Sequence, residues 1–166
     1  MRSLAYSILI LGLCSLAACG YQLRGMQGYE IDIEKVYLSG SNTRSELLEE
    51  ITENLRNRGI EISLSKESIP SLHIMSENIH RSPVATSADI SVSEYELRME
   101  IVFQIMSDEG KSLILPSTLF VERIYSFDRS SLVGSSEEEN IVVEEMRRDI
   151  ANQLLLRFYS AMQQNP

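Results

Sequence analysis

Few residues in this chain could do chemistry. The cysteines are Cys14 and Cys19, and the histidines are His73 and His80. Cys19 stands directly after Leu16-Ala17-Ala18, the pattern of a bacterial lipobox, in which a diacylglycerol is joined to the cysteine sulfur before cleavage. His73 falls in a predicted strand and reads as structural. His80 beside Arg81 reads as a surface residue, with part of a ligand patch as the alternative. Glu94 and Glu96 share a strand face and imitate the carboxylate pair of glycoside hydrolysis. Their neighbours Arg98 and Glu100 make a solvated charged face the better reading. The sequence carries no Gly-x-Ser-x-Gly, no phosphate-binding glycine loop and no His/Cys cluster at metal-ligand spacing. These absences favour a binding or assembly protein over an enzyme. No cofactor or metal is expected beyond covalent lipid on Cys19.

The segment ahead of Cys19 supports the lipidation reading. Arg2 is the one early charge, and residues 4–16 are almost wholly apolar. That core is too short for a membrane-spanning helix, which needs about 20 apolar residues. A charged start, a short apolar core and small residues at the cut describe a signal peptide over 1–18. A single acyl chain binds membranes marginally, at about 0.8 kcal/mol per buried CH₂. The expected anchor is therefore multiple: S-diacylglycerol plus an N-acyl chain on Cys19. Gly20, where an Asp commonly retains such proteins in the inner membrane, points to the periplasmic face of the outer membrane.

Composition narrows the partners. The chain has 24 acidic and 15 basic residues, a formal net charge of −9. Arg2 leaves with the signal, so the mature chain is more acidic still. Nucleic acid is a poor partner for such a surface. Cys14 is lost with the signal and Cys19 is used by lipid, which leaves no disulfide. Stability must come from packing.

The elements that follow are legible in part. Residues 19–34, with Gly20, Gly25 and Gly28, read as a lipidated tether. The folded domain is expected over 35–162, with 163–166 as a tail. Lys35–Leu38 is a first strand. Thr43 and Glu46 match a capping box for a helix over 44–58, with Leu48, Ile51 and Leu55 on its apolar face and Leu47 at the edge. Gly59 suits its C-terminus. Ile60, Ile62 and Leu64 alternate as a strand, and Leu72–Ile79 as another. Pro83 marks 81–91 as a loop. Tyr95, Leu97, Met99, Ile101, Phe103 and Ile105 alternate with Glu94, Glu96, Arg98, Glu100 and Gln104, the clearest strand in the chain. A hairpin at 107–110 leads into a return strand over 113–127. There Pro116 predicts an edge position or a bulge. Ser136 and Glu139 offer a second capping box for a helix over 137–161, with Glu144 facing Arg147 and Arg148. The order predicts an α+β two-layer sandwich: two helices on one face of a mostly antiparallel, mixed sheet of four to five strands. The face bearing Glu94 to Glu100 is left wet. It suits water or a water-filled lumen, and not lipid.

Cys19-Gly20-Tyr21-Gln22-Leu23-Arg24-Gly25, Glu94-Tyr95 at the start of the long strand, Phe127-Asp128 at the end of its partner, and Glu144-Glu145-Met146-Arg147 with Ile150-Ala151 and Gln153-Leu154 near the C-terminus belong together. Over roughly 1–160 the chain resembles the LptE family, lipopolysaccharide-assembly lipoproteins of the outer membrane. The resemblance implies a one-to-one complex with the large β-barrel LptD, in whose lumen the domain sits as a plug. It also implies a role in barrel assembly and in delivering lipopolysaccharide, with some capacity to bind it.

The family's basic residues for lipopolysaccharide align here with Ala88 and Ser136. Contact with lipid A phosphates needs Lys or Arg, so a substitute patch of Arg81, Lys111 and Arg129 is expected. Two rival readings stand beside this one. One is a periplasmic lipid-binding accessory lipoprotein of a transporter, and the other is a lipid-anchored hydrolase.

Overall fold

Among the described residues these patterns give five strands and two helices. A computed structural model describes residues 33–42, 45–86, 92–127 and 132–164. The elements are β1 (Lys35–Gly40), α1 (Glu46–Asn57), β2 (Glu61–Ser63), β3 (Ser71–Thr86), β4 (Val92–Met106), β5 (Ser112–Ser126) and α2 (Leu132–Gln163). They belong to the unit Ile31–Pro166; the other unit, Met1–Glu30, lies outside the described residues, with Cys19 and nearly all of the predicted tether.

The sheet order is β2-β1-β3-β4-β5. β1 pairs in parallel with β2 and β3, whereas β3–β4 and β4–β5 are antiparallel. The antiparallel pairs are the long ones, so the expected mixed α+β sandwich is what forms. On β4, Leu97, Met99, Ile101, Phe103 and Ile105 are buried, and the helices supply Leu47, Ile51, Leu55, Met146, Ile150, Leu154 and Phe158 to the same core. Each such side chain gains about 1.5–3 kcal/mol on leaving water.

The N-cap of α1 is Ser45; the expected cap, Thr43, lies outside the described residues. The Ser45 hydroxyl accepts from the Leu47 N–H at 3.2 Å and donates to the Glu77 carboxylate. The expected capping-box partner Glu46 turns instead to Arg147 on α2, at 2.5 Å. Leu47, not Leu48, is central to the buried face, because the stripe runs Leu47, Ile51, Leu55 at a spacing of four. The C-terminus is a Schellman motif: Gly59 N–H bonds to Arg56 O at 2.9 Å and Ile60 N–H to Leu55 O at 3.1 Å. Gly59 has φ +81°, the left-handed region where a side chain is strained.

Further expectations are corrected. β2 ends at Ser63, and Leu64 is 99% exposed. β3 runs on to Thr86, so 81–86 are strand; Pro83 is accommodated because the register shifts between Pro83 and Ala85. Residues 87–91 of the predicted loop lie outside the described residues. Helix α2 begins at Leu132, which puts Ser136 inside it. Glu139 is turned to Tyr125 and Arg81 and so closes no box. Likewise Arg147 pairs with Glu46 of α1 rather than with Glu144. Pro116 fulfils both halves of its expectation: β5 is an edge strand, and its register with β4 shifts between Ile114 and Ser117.

Candidate functional site

The two faces of the β4–β5 ribbon set the chemistry. Away from the helices β4 presents Glu94, Glu96, Arg98, Glu100, Val102 and Gln104, and β5 presents Thr118, Phe120, Glu122, Ile124 and Ser126. Among the described residues no element covers this open face. Arg98 is its organising group. Its guanidinium pairs with Glu122, directly across the strands, and with Glu100 at 3.4 Å. It also lies 3.8 Å from the Phe120 ring centroid. Each exposed pair is worth little for stability. Together they give a polar, net acidic surface with apolar Phe120 and Ile124 at its β5 margin, 46% and 59% exposed.

The other candidate is the sheet end where β3 finishes, β4 begins and β5 finishes. Arg81 lies on the helix side there, opposite Leu97. Its guanidinium carbon sits 3.7 Å from the Tyr95 ring centroid, 5.4 Å from Phe127 and 5.7 Å from Tyr125. Glu139 of α2 pairs with Arg81 at 3.5 Å and accepts from the Tyr125 hydroxyl. Burial, then the bond to Glu139, pushes the Tyr125 hydroxyl above the usual tyrosine pKa. One cation, three rings and one carboxylate therefore tie three strands to α2.

A cleft of about 450 Å³ lies between the N-terminus of α1, β3 and α2, lined by Gly40, Ser45, Glu46, Glu77, Ile79 and Arg147 among others. Its carboxylates are already engaged, Glu46 with Arg147 and Glu77 with Ser45. It reads as a packing junction.

The predicted basic patch is not gathered in one place. Arg81 is at the far end of the ribbon, engaged by Glu139 and Tyr95. Lys111 is exposed in the hairpin at the opposite end, its N–H on the Ser107 hydroxyl at 3.2 Å. Roughly 30 Å of strand separates them. Arg129 and Ala88 lie outside the described residues, and Ser136 is exposed on α2. His73 bonds to the Ser39 hydroxyl through Nδ1 at 2.9 Å, and His80 faces Arg98 across the open side. Among the described residues no group of His, Cys, Asp and Glu could hold a metal, and no helix is long and apolar enough to cross a membrane.

The sequence reading missed the clamp around Arg81. Period-two alternation put Tyr95 on the covered face. Pairing outward from the turn without bulges sets Tyr95 opposite Arg123, and only the register shifts near Pro116 set it opposite Tyr125.

The profile of the LptE family, described as lipopolysaccharide-assembly, matches residues 33–158. That span holds every strand and all but the end of α2. The chain belongs to the LptE family. Among LptE relatives, "LPS-assembly lipoprotein LptE" of Pectobacterium atrosepticum is 28% identical over 151 residues, 89% of this chain and 81% of that protein. The Photorhabdus laumondii protein of the same name is 24% identical over 150 residues, again 89% and 81%. The LptE fold is shared with solved structures. Rare lipoprotein B of Shewanella oneidensis matches with TM-score 0.70 and 25% identity, covering 76% of this chain and 94% of that one. Lipoprotein B of Nitrosomonas europaea matches with TM-score 0.68 and 19% identity, over 82% and 88%.

Proposed function

We propose that this chain is an outer-membrane lipoprotein of lipopolysaccharide assembly. It is anchored through acylated Cys19 and held as a one-to-one plug in the lumen of the β-barrel LptD, whose assembly it assists. The observation that carries the reading is the open sheet face. Glu94, Glu96, Arg98, Glu100 and Glu122 share a surface that no helix covers among the described residues. Charges of this kind cannot enter hydrocarbon without large cost, and a hydrated lumen accepts them. The lipopolysaccharide-assembly description of the family and of the Pectobacterium and Photorhabdus relatives supports the same role. The lipid anchor raises local concentration at the membrane and so favours docking.

The test is affinity purification of the tagged full-length protein from outer membranes. A stoichiometric large β-barrel is the expected co-purifying protein. Recovery of an inner-membrane transporter without the barrel would overturn the reading in favour of an accessory lipid binder. Lipopolysaccharide contact is proposed through Lys111, Arg129 and Arg81 as separate points rather than one patch, Arg81 only when its pair with Glu139 opens. Alanine at all three positions should weaken lipopolysaccharide capture, and unchanged capture would reject the assignment.

A further inference from the structure

The two edges of the sheet differ. One is β2, only Glu61–Ser63, flanked by the exposed ion pair of Lys35 with Glu61 at 3.2 Å. Short, charged edges resist pairing with another chain. The other edge is β5, Ser112–Ser126, which pairs only with β4 among the described residues. Its bulge at Pro116 protects one end. From Ser117 to Ser126 the register with β4 is unbroken, so the outer side of this stretch offers a regular row of backbone donors and acceptors. Phe120 and Ile124 are exposed on the open face of the same stretch.

We infer that the β5 edge between Ser117 and Ser126 is a docking site for an extended segment of the partner barrel, added as a further strand. The inference rests on the barrel-partner reading above and deepens it. A free strand edge is matched by an extended chain, because only that geometry satisfies the row of backbone groups. Alternate side chains of the incoming strand fall beside Phe120 and Ile124, which supply the apolar contact. Glu94, Glu96, Glu100 and Glu122 flank them on the open face, where Arg98 is the one Lys or Arg that β4 and β5 present among the described residues, so the segment carries Lys or Arg. A second copy of this chain fits poorly: it brings a formal charge of −9 and the same acidic margin.

The experiment places a photoreactive phenylalanine analogue at Phe120, at Ile124 and, as a control on the opposite margin, at Leu64 of the tagged full-length chain in living cells. Barrel co-purification is scored in parallel, with products identified by mass spectrometry. Cross-links to the barrel at 120 and 124 but not at 64 are expected. The exposed-site variant F120K/I124K should keep normal protein levels and lower barrel capture about tenfold, a change of about 1.4 kcal/mol. If the barrel co-purifies but cross-links only at 64, or at none of the three sites, the edge assignment is overturned and the barrel reading stands. A cross-linked product of two copies of this chain overturns it in favour of self-association. If no barrel co-purifies with the unsubstituted chain, both readings fall.

Discussion

The two faces of β4 share a backbone and little else. Leu97, Met99, Ile101, Phe103 and Ile105 are 0–1% exposed beneath the helices, while Glu96, Arg98 and Glu100 on the other side stay partly in water. Adjacent residues of one strand thus belong to different tasks. The covered side holds the fold together by area removed from water, a term that counterions do not screen. The open side contributes little to folding because exposed ion pairs are screened and entropically costly. What it retains is a surface of fixed charge and two exposed apolar residues, and these are features of recognition. A substitution on one side should therefore change stability, and on the other, partner capture.

The largest expected effect tests that division directly. Phe103→Ala removes a ring that is fully buried. It should destabilise the domain by about 3–5 kcal/mol. Phe120→Ala, on the open face, should cost under about 1 kcal/mol, mainly its stacking on Arg98. Urea denaturation of both variants measures the difference, and equal losses would break the comparison. Next comes the helix cap on the covered side. Ser45→Ala deletes the acceptor for the Leu47 N–H and should cost about 1 kcal/mol, read by the same titration.

The clamp at the sheet end is the next test, and it sharpens where the covered side stops. Arg81→Ala should cost about 1 kcal/mol, since the guanidinium is partly hydrated over its rings. A double-mutant cycle with Glu139→Gln should show coupling, and additivity within error would mean the two act separately. The same cluster predicts a pH dependence. Tyr125 has its folded pKa raised by burial and by Glu139. Its neutral form is therefore favoured in the native state. The stability it contributes is complete below the unfolded tyrosine pKa, about 10, and is lost as pH rises above that value. Tyr125→Phe should shift the midpoint of alkaline unfolding upward. An unmoved midpoint would assign the alkaline transition elsewhere, and Tyr159, also raised by burial, is the residue to substitute then.

The sequence announced the covered face better than the sheet end, for a physical reason. Alternation along residues 95–105 is a local property of one strand, and burial follows it position by position. Gly59 was legible because only a left-handed residue closes that motif. Pro116 was legible because a missing donor restricts it to an edge or a bulge. The clamp depends on non-local register instead. It requires knowing that β4 and β5 slip past one another near Pro116, and that β3 continues through Pro83. A proline argues against a strand locally, and here a bulge in the register with β4 absorbs it. The capping boxes failed in a related way. Glu46 and Glu139 sit at the right spacing, but each finds a basic partner on a different element, Arg147 and Arg81. Both helices also start elsewhere: Ser45 caps α1 and α2 begins at Leu132, so neither glutamate stands at the third helical position that a capping box needs.

The smallest expected effect on stability lies on the open face and is the most discriminating for function. Glu100→Gln removes one of the two carboxylates that Arg98 holds and leaves Glu122 in place. With all three groups partly exposed, the change in unfolding free energy should stay within about 0.5 kcal/mol. If the open face meets a basic partner surface, the same variant should lower capture of the barrel at low salt. The deficit should shrink as added salt screens the contact, over a Debye length of about 8 Å at physiological ionic strength. A stability loss comparable to that of Phe103→Ala would show that the charge network helps hold the sheet together. A capture deficit unchanged by salt would place Glu100 in a dry, buried contact of the complex, where screening has little access.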